Sequence, residues 1–190
     1  LIGLTGGIAT GKSSVSKLLR AKGLPIIDAD ALVKEIYAKE STKALVASVA
    51  PTVSGLNGID FKALRAIFFK DSKVKSELET HIYSLLPTSF ADAYQALGSP
   101  EFVIYDVPLL FEKGLDKLMD ATVLVYAPET RQIERLIKRD NIDEDLAKTI
   151  ISSQWPIEKK RDHSELIIDN SNDFKHLKTE TESLIEDLFL

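Results

Sequence analysis

Leu1-Ile2-Gly3-Leu4-Thr5-Gly6-Gly7-Ile8-Ala9-Thr10-Gly11-Lys12-Ser13 decides the fold, and the rest of the chain is read outward from it. Leu1 to Leu4 is a short continuous apolar run, as expected of a strand buried on both faces of a parallel sheet. A glycine-rich turn stops it. From Ser13 onward Val15, Leu18 and Leu19 keep helical spacing, and Gly23 after Lys22 is a helix stop. Gly6 to Ser13 fits G-x-x-x-x-G-K-[ST] in full. The motif lies between a strand and a helix, the context that separates it from a chance glycine-rich turn. The residue types suit phosphate. Glycines let backbone N–H groups turn inward around an anion, and the following helix offers unpaired amides and the positive end of its dipole. Lys12 can reach β- and γ-phosphates as a point charge, and Ser13 can place a hydroxyl on Mg2+. Gly7, Ile8, Ala9, Thr10, Gly11, Lys12, Ser13 and Ser14 are therefore the candidate residues for binding a nucleoside triphosphate. Lys12 is also a candidate catalytic group.

Beyond this unit, strands and helices alternate. Leu24-Pro25-Ile26-Ile27 reads as a second strand, running into Asp28-Ala29-Asp30 and a helix through Tyr37. Phe102-Val103-Ile104-Tyr105 is a third, ending at Asp106-Val107-Pro108. Ala121 to Tyr126 is a fourth, with Pro128 at a helix start and helical patterning from Arg131 to Arg139. Another helix begins near Asp143. Leu166-Ile167-Ile168 is a fifth strand, ending in Asp169-Asn170-Ser171, and a last amphipathic helix carries Phe174, Leu177, Leu184 and Leu188. Residues 41–98 read as mostly helical, broken by a loop at Gly55, Asn57 and Gly58. The fold class is α/β: a five-stranded parallel sheet with helices on both faces, plus a helical insertion. Ligands of such sheets bind outside the carboxyl ends of the strands. The segments Gly6–Ser13, Asp28–Asp30, Asp106–Pro108 and Asp169–Ser171 all fall at that edge.

Bulk composition narrows the function classes. The chain has 190 residues, 44% of them hydrophobic and 28% charged, enough to bury a core without staples. It has no cysteine, which excludes disulfides, thiolate catalysis and Cys-ligated zinc. His81, His163 and His176 lie far apart and form no ligand-spaced pair. The formal net charge of −5 argues against a dedicated nucleic-acid binder. No apolar run reaches the roughly 18 residues of a membrane span, and no signal-peptide pattern is present. The sequence starts in a strand without Met, so a residue or two is expected to precede it. The expectation is a cytoplasmic protein acting on small molecules, without nucleic-acid or membrane partners, as a monomer or weak homo-oligomer.

The loop alone does not choose between a switch and a transferase. Neither D-x-x-G nor N-K-x-D occurs in the sequence, which argues against a guanine-specific switch. Phe102 to Asp106 loosely matches the apolar strand ending in Asp of ATPase motors, but Val107-Pro108 does not fit one. Four segments in order resemble the dephospho-CoA kinase family. They are Leu4 to Ser13, Asp28-Ala29-Asp30, Asp106-Val107-Pro108-Leu109-Leu110-Phe111-Glu112, and Arg135 to Asp140 with Gln154 following. Ile168-Asp169-Asn170 before the last helix extends the resemblance to the whole chain. The sequence departs from the family pattern at Ala9, at Tyr83-Ser84 and at Phe61.

The resemblance implies transfer of phosphate from ATP, with Mg2+, to the ribose 3′-hydroxyl of dephospho-CoA. It also implies a core domain (1–40, 99–134 and 165–190), a helical acceptor-binding insertion (41–98) and a lid (135–164). Two other readings stand beside it: another nucleoside-monophosphate or small-molecule kinase on the same scaffold, and a non-catalytic ATP-binding regulatory module.

Phosphoryl transfer needs positioning and charge neutralisation more than covalent chemistry. Asp30 is the candidate group for taking the acceptor hydroxyl proton, or for holding Mg2+ through water. Its alternative is a helix N-cap. Asp106 is a candidate for the acceptor or for water-bound Mg2+, and alternatively a turn-forming residue before Pro108. Leu109, Leu110 and Phe111 read as core or pocket wall, with Leu109 a candidate acceptor contact. Arg135 and Arg139 are four apart on one helix face, and Arg139 is the candidate clamp for transition-state charge. Arg65 is a candidate for acceptor phosphate. Asn170 and Ser171 stand where the resemblance places the adenine. Lys159-Lys160-Arg161 reads as a solvated face that could meet phosphate.

Overall fold

The structure, a computed structural model, describes residues 1–55 and 58–189. The chain forms two compact units, residues 1–28 with 100–190 and residues 29–99.

The first unit holds one sheet of five parallel strands: β1 (Ile2–Gly6), β2 (Ile26–Asp28), β5 (Ile104–Asp106), β6 (Ala121–Tyr126) and β7 (Leu166–Asp169). Their order is β2-β5-β1-β6-β7, with β1 in the middle. The parallel register sets Leu4 and Asp28 beside Asp106, and Gly6 beside Val125. Strands β2 and β5 begin two residues later than the apolar runs suggest. In the second run the backbone of Leu24 still closes the turn after α1 (Lys12–Ala21), donating to the Leu19 carbonyl.

Along β1 the pleat sends alternate residues to opposite faces. Ile2 and Leu4 pack with Val15 and Leu19 of α1, with Val123, Val125 and Ile168, and with Leu177 and Leu184 of α9 (Phe174–Phe189). Gly3 points the other way, and a side chain there would meet Leu110 and Met119 at 2.9 Å. That face is covered by the chain that follows β5. The remaining helices of this unit are α6 (Glu129–Asp140), α7 (Glu144–Ile151) and α8 (Ile157–Asp162). Helix α6 runs unbroken through residue 135, so no element boundary marks the start of the expected lid.

The second unit contains α2 (Ala29–Ala38), α3 (Glu40–Val49), α4 (Phe61–Lys70) and α5 (Ser72–Ala96), with a short antiparallel hairpin of β3 (Ser54–Gly55) and β4 (Gly58–Ile59). The hairpin falls where a loop was expected; Asn57 lies outside the described residues. Asp60 and Asp71 cap α4 and α5, each accepting two backbone amides. Val46, Ala50, Val53, Leu64, Val74 and Leu78 form a core of their own. Helix α2 packs on α5 and α3. The unit therefore begins at Ala29, not at 41.

Candidate active site

The loop leaves β1 at Gly6 and enters α1 at Lys12. Its turn is closed from within: the amide and hydroxyl of Thr10 both donate to the Gly7 carbonyl, at 3.3 and 2.9 Å. Gly11 is the N-cap of α1 with φ of +96°, a conformation L side chains rarely adopt. A Cβ at Gly11 would also overlap the Asn170 side-chain amide. Helix α1 has no side-chain cap and no acidic residue in its first turn. That end of the helix is built to face an anion. Ala9 holds φ of +61°, in the same left-handed region.

Two side chains from outside the loop hydrogen-bond to its backbone, and a third packs beside it. Asn170, buried just after β7, donates to the Thr10 carbonyl at 2.7 Å. Gln132 on α6 is buried, donates to Ala127 and stands where a Cβ on Gly7 would meet its Oε1 at 2.8 Å. The Gln154 side-chain oxygen accepts the Ile8 amide at 3.1 Å.

Lys12, with little exposure, is ion-paired with Asp106 at the carboxyl end of β5. Asp106 is buried and also accepts the Ser16 hydroxyl at 2.5 Å. Here Asp106 is the counter-charge that aims Lys12. Asp28 lies beside Asp106 in the register. Ser13 is exposed at the start of α1 and Ser14 is half-buried. Leu109 is half-buried, and Leu110 and Phe111 belong to the core.

The two candidate arginines of α6, Arg135 and Arg139, separate. The Arg135 Nη2 donates to the carbonyls of Asn170 (2.8 Å) and Asn172 (3.3 Å), and its Nη1 is buried without a partner. Burial and neighbouring Arg131 hold its pKa below the usual arginine range. Arg135 lines a cavity of ≈ 240 Å³ with Gly11, Ser14, Asn170, Phe174 and Leu177. Arg139 is exposed and forms a two-bond pair with Asp140, at 2.7 and 2.8 Å. That pair raises the pKa of the arginine and lowers that of the carboxylate. In the second unit, Asp30 is exposed in the first turn of α2, two residues along the chain from Asp28. Arg65 on α4 is exposed, with its guanidinium 5.9 Å from the Phe69 ring centroid.

One expectation fails. Lys160 is not part of a solvated face, because its side chain is fully enclosed. The phase of α8 explains this: Ile157, three residues earlier, is buried on the same helix face. Lys159 and Arg161 are exposed, with Lys159 3.4 Å from the centre of the Trp155 ring. The loop-holding role of Asn170 and the packing of Gln132 beside Gly7 also went unread, since a lone amide in sequence does not reveal which backbone group it will satisfy. No group of His, Asp and Glu among the described residues is arranged to hold a metal ion by itself, and none of their helices is long and apolar enough to cross a membrane.

Comparison with known proteins places these features in a family. The dephospho-CoA kinase family model matches residues 1–176. The dephospho-CoA kinase of a Synechococcus strain is 38% identical over 188 residues, which are 97% of this chain and 94% of that one. A solved Thermus thermophilus protein matches with a TM-score of 0.83 and 28% identity, covering 100% of this chain and 97% of the other. The dephospho-CoA kinase of Campylobacter jejuni matches with a TM-score of 0.73 at 24% identity, covering 98% and 96%. The chain belongs to the dephospho-CoA kinase family.

Proposed function

We propose that the chain transfers the γ-phosphoryl group of ATP to the ribose 3′-hydroxyl of dephospho-CoA. The observation that carries the donor half is the uncapped start of α1 behind a loop turned by Gly11 and Ala9, with Lys12 held over it by Asp106. Amides and an ammonium aimed at developing phosphate charge are the main means of catalysis in this chemistry.

We assign the adenine to the cavity beside Gly11. The buried, unpartnered Arg135 Nη1 is a donor that a ring nitrogen can satisfy, and exposed Phe174 offers a face for stacking. Asp30 is assigned to take the acceptor proton as the oxygen attacks phosphorus, and Arg139 to meet the charge that builds in the transition state. Leu109 and Arg65 are assigned to the acceptor side and residues 135–164 to the lid, while Asp106, expected at the acceptor, is taken up by Lys12 and Ser16. Ser13, whose exposed hydroxyl sits at the start of α1, fits a Mg2+ ligand, with Asp30 contributing through water. The ion would supply charge neutralisation between phosphate oxygens. A monomeric or weakly associated protein, located in the cytoplasm where ATP is supplied, completes the reading.

ADP release should depend on dephospho-CoA and far exceed that seen with AMP, shikimate or gluconate. Equal release with and without dephospho-CoA overturns the assignment.

A further inference from the structure

The buried ammonium of Lys160 has no part in the account so far. Removing such a charge from water costs several kcal/mol even after relaxation, and an apolar residue in its place would fill the space more cheaply. Its contacts show where it acts. Nζ lies 2.8 Å from Glu112 Oε1, 3.3 Å from the Pro108 carbonyl and 3.4 Å from the Gly6 carbonyl. Gly6 is the first residue of the phosphate loop, and Pro108 follows by two the aspartate that aims Lys12. The Thr5 hydroxyl donates to the same Pro108 carbonyl at 3.2 Å. Glu112 Oε1 also accepts the Trp155 amide at 3.0 Å, and the preceding Gln154 holds the Ile8 amide. The segment from 154 to 160 thus grips the loop at Gly6 and Ile8, and Glu112 anchors that grip. Lys12 is close enough for its charge to add to burial in lowering the Lys160 pKa, against the pull of Glu112.

Building on the proposed donor site, we infer that Lys160 is a positioning residue for the nucleotide: anchored by Glu112, it fixes the phosphate loop against the turn after β5 so that Lys12 and the loop amides meet the phosphates in register. It need not touch the nucleotide to do so. Misplacement of such groups by about 1 Å can cost on the order of 10²-fold in rate.

The test is ATP affinity measured without acceptor, by calorimetric titration with a non-hydrolysable ATP analogue and Mg2+, alongside kcat and both KM values. The informative variant is the double Lys160→Met/Glu112→Gln, which leaves no unpaired charge inside. We expect it to melt near the wild type and to keep its KM for dephospho-CoA. Its kcat/KM for ATP should fall on the order of 10²-fold, with weakened analogue binding. Unchanged analogue affinity and unchanged KM for ATP overturn the inference and leave Lys160 a structural ion pair. If the double variant does not fold, Lys160→Gln/Glu112→Gln decides. It leaves no buried charge and keeps a neutral hydrogen bond across the pair, and should weaken analogue binding about tenfold; wild-type affinity refutes the role. Because this readout needs no acceptor, it stands apart from the dephospho-CoA assay, whose failure would count only against the reaction assigned above.

Discussion

Gly11 and Asn170 make one joint, and substituting both should cost little more than substituting Gly11 alone. Consider Gly11→Ala. The position has φ of +96°, where an L side chain costs about 1–2 kcal/mol. The new methyl overlaps the Asn170 amide, so that side chain must leave. Its 2.7 Å bond to the Thr10 carbonyl is then broken. A buried carbonyl left unpaired costs about 1–3 kcal/mol. Reduced freedom of the unfolded chain returns about 0.4–1 kcal/mol. The net loss is about 1–5 kcal/mol, or roughly 2–18 °C in Tm for a chain of this length. Asn170→Ala breaks the same bond without the backbone strain and should cost about 1–3 kcal/mol. In the double variant the bond is lost only once and no overlap remains. Its loss should match Gly11→Ala alone, giving a coupling of about 1–3 kcal/mol. Urea titrations followed by Trp155 fluorescence read this directly, because Trp155 is the single tryptophan and lies in the same unit as the loop. Losses that add to within about 0.5 kcal/mol would refute the shared joint. So would a Gly11→Ala protein that unfolds with the wild type.

Other substitutions separate the remaining roles. Ala9→Gly should relieve the left-handed strain at φ of +61°, raising stability by about 0.5 kcal/mol once the greater freedom of the unfolded chain is subtracted. A thermal melt checks it, and a lowered Tm contradicts it. Arg135→Ala should weaken ATP binding by at least about tenfold, the scale of a lost charged hydrogen bond. Arg139→Ala should leave ATP affinity unchanged and lower kcat. Equal ATP affinity in the two variants, by titration, would remove the adenine assignment. Asp30→Asn should lower kcat by about 10²–10⁴-fold, the range of a lost general base, with little change in KM for ATP. Near-normal turnover takes Asp30 out of the chemistry. Lys12→Ala should abolish tight binding of ATP with Mg2+; retained tight binding argues against the loop as donor site.

The parallel sheet was legible because its strands are written as apolar runs closed by Gly6, Asp28, Asp106 and Asp169. Burial on both faces leaves no polar alternation to blur them. Strand starts were less legible. Leu24 and Phe102 are apolar enough to extend the strands, but Leu24 is spent on closing α1 and the ladder begins at Ile26 and Ile104. The second unit was legible as helices and not as a unit. Helix α2 follows β2 directly, and only its packing on α3 and α5 assigns it to residues 29–99.

The site divides along the same line. Groups that bind an anion through backbone leave a spacing in the sequence, and Gly6 to Ser13 announced itself. Groups that hold this backbone in place leave none, because Asn170, Gln154 and Glu112 each act on a carbonyl, amide or ammonium far away in the chain. Lys160 shows how such a residue can still be found. In sequence it is one of three adjacent cations, and counting charge gives all three the same solvated fate. Helix phase does not: a residue three past a buried isoleucine faces the same way as that isoleucine. A lysine on a buried face cannot stay charged cheaply unless an acid meets it. The reading then becomes a search for the acid, and Glu112, closing the D-V-P-L-L-F-E segment, is where the structure supplies it.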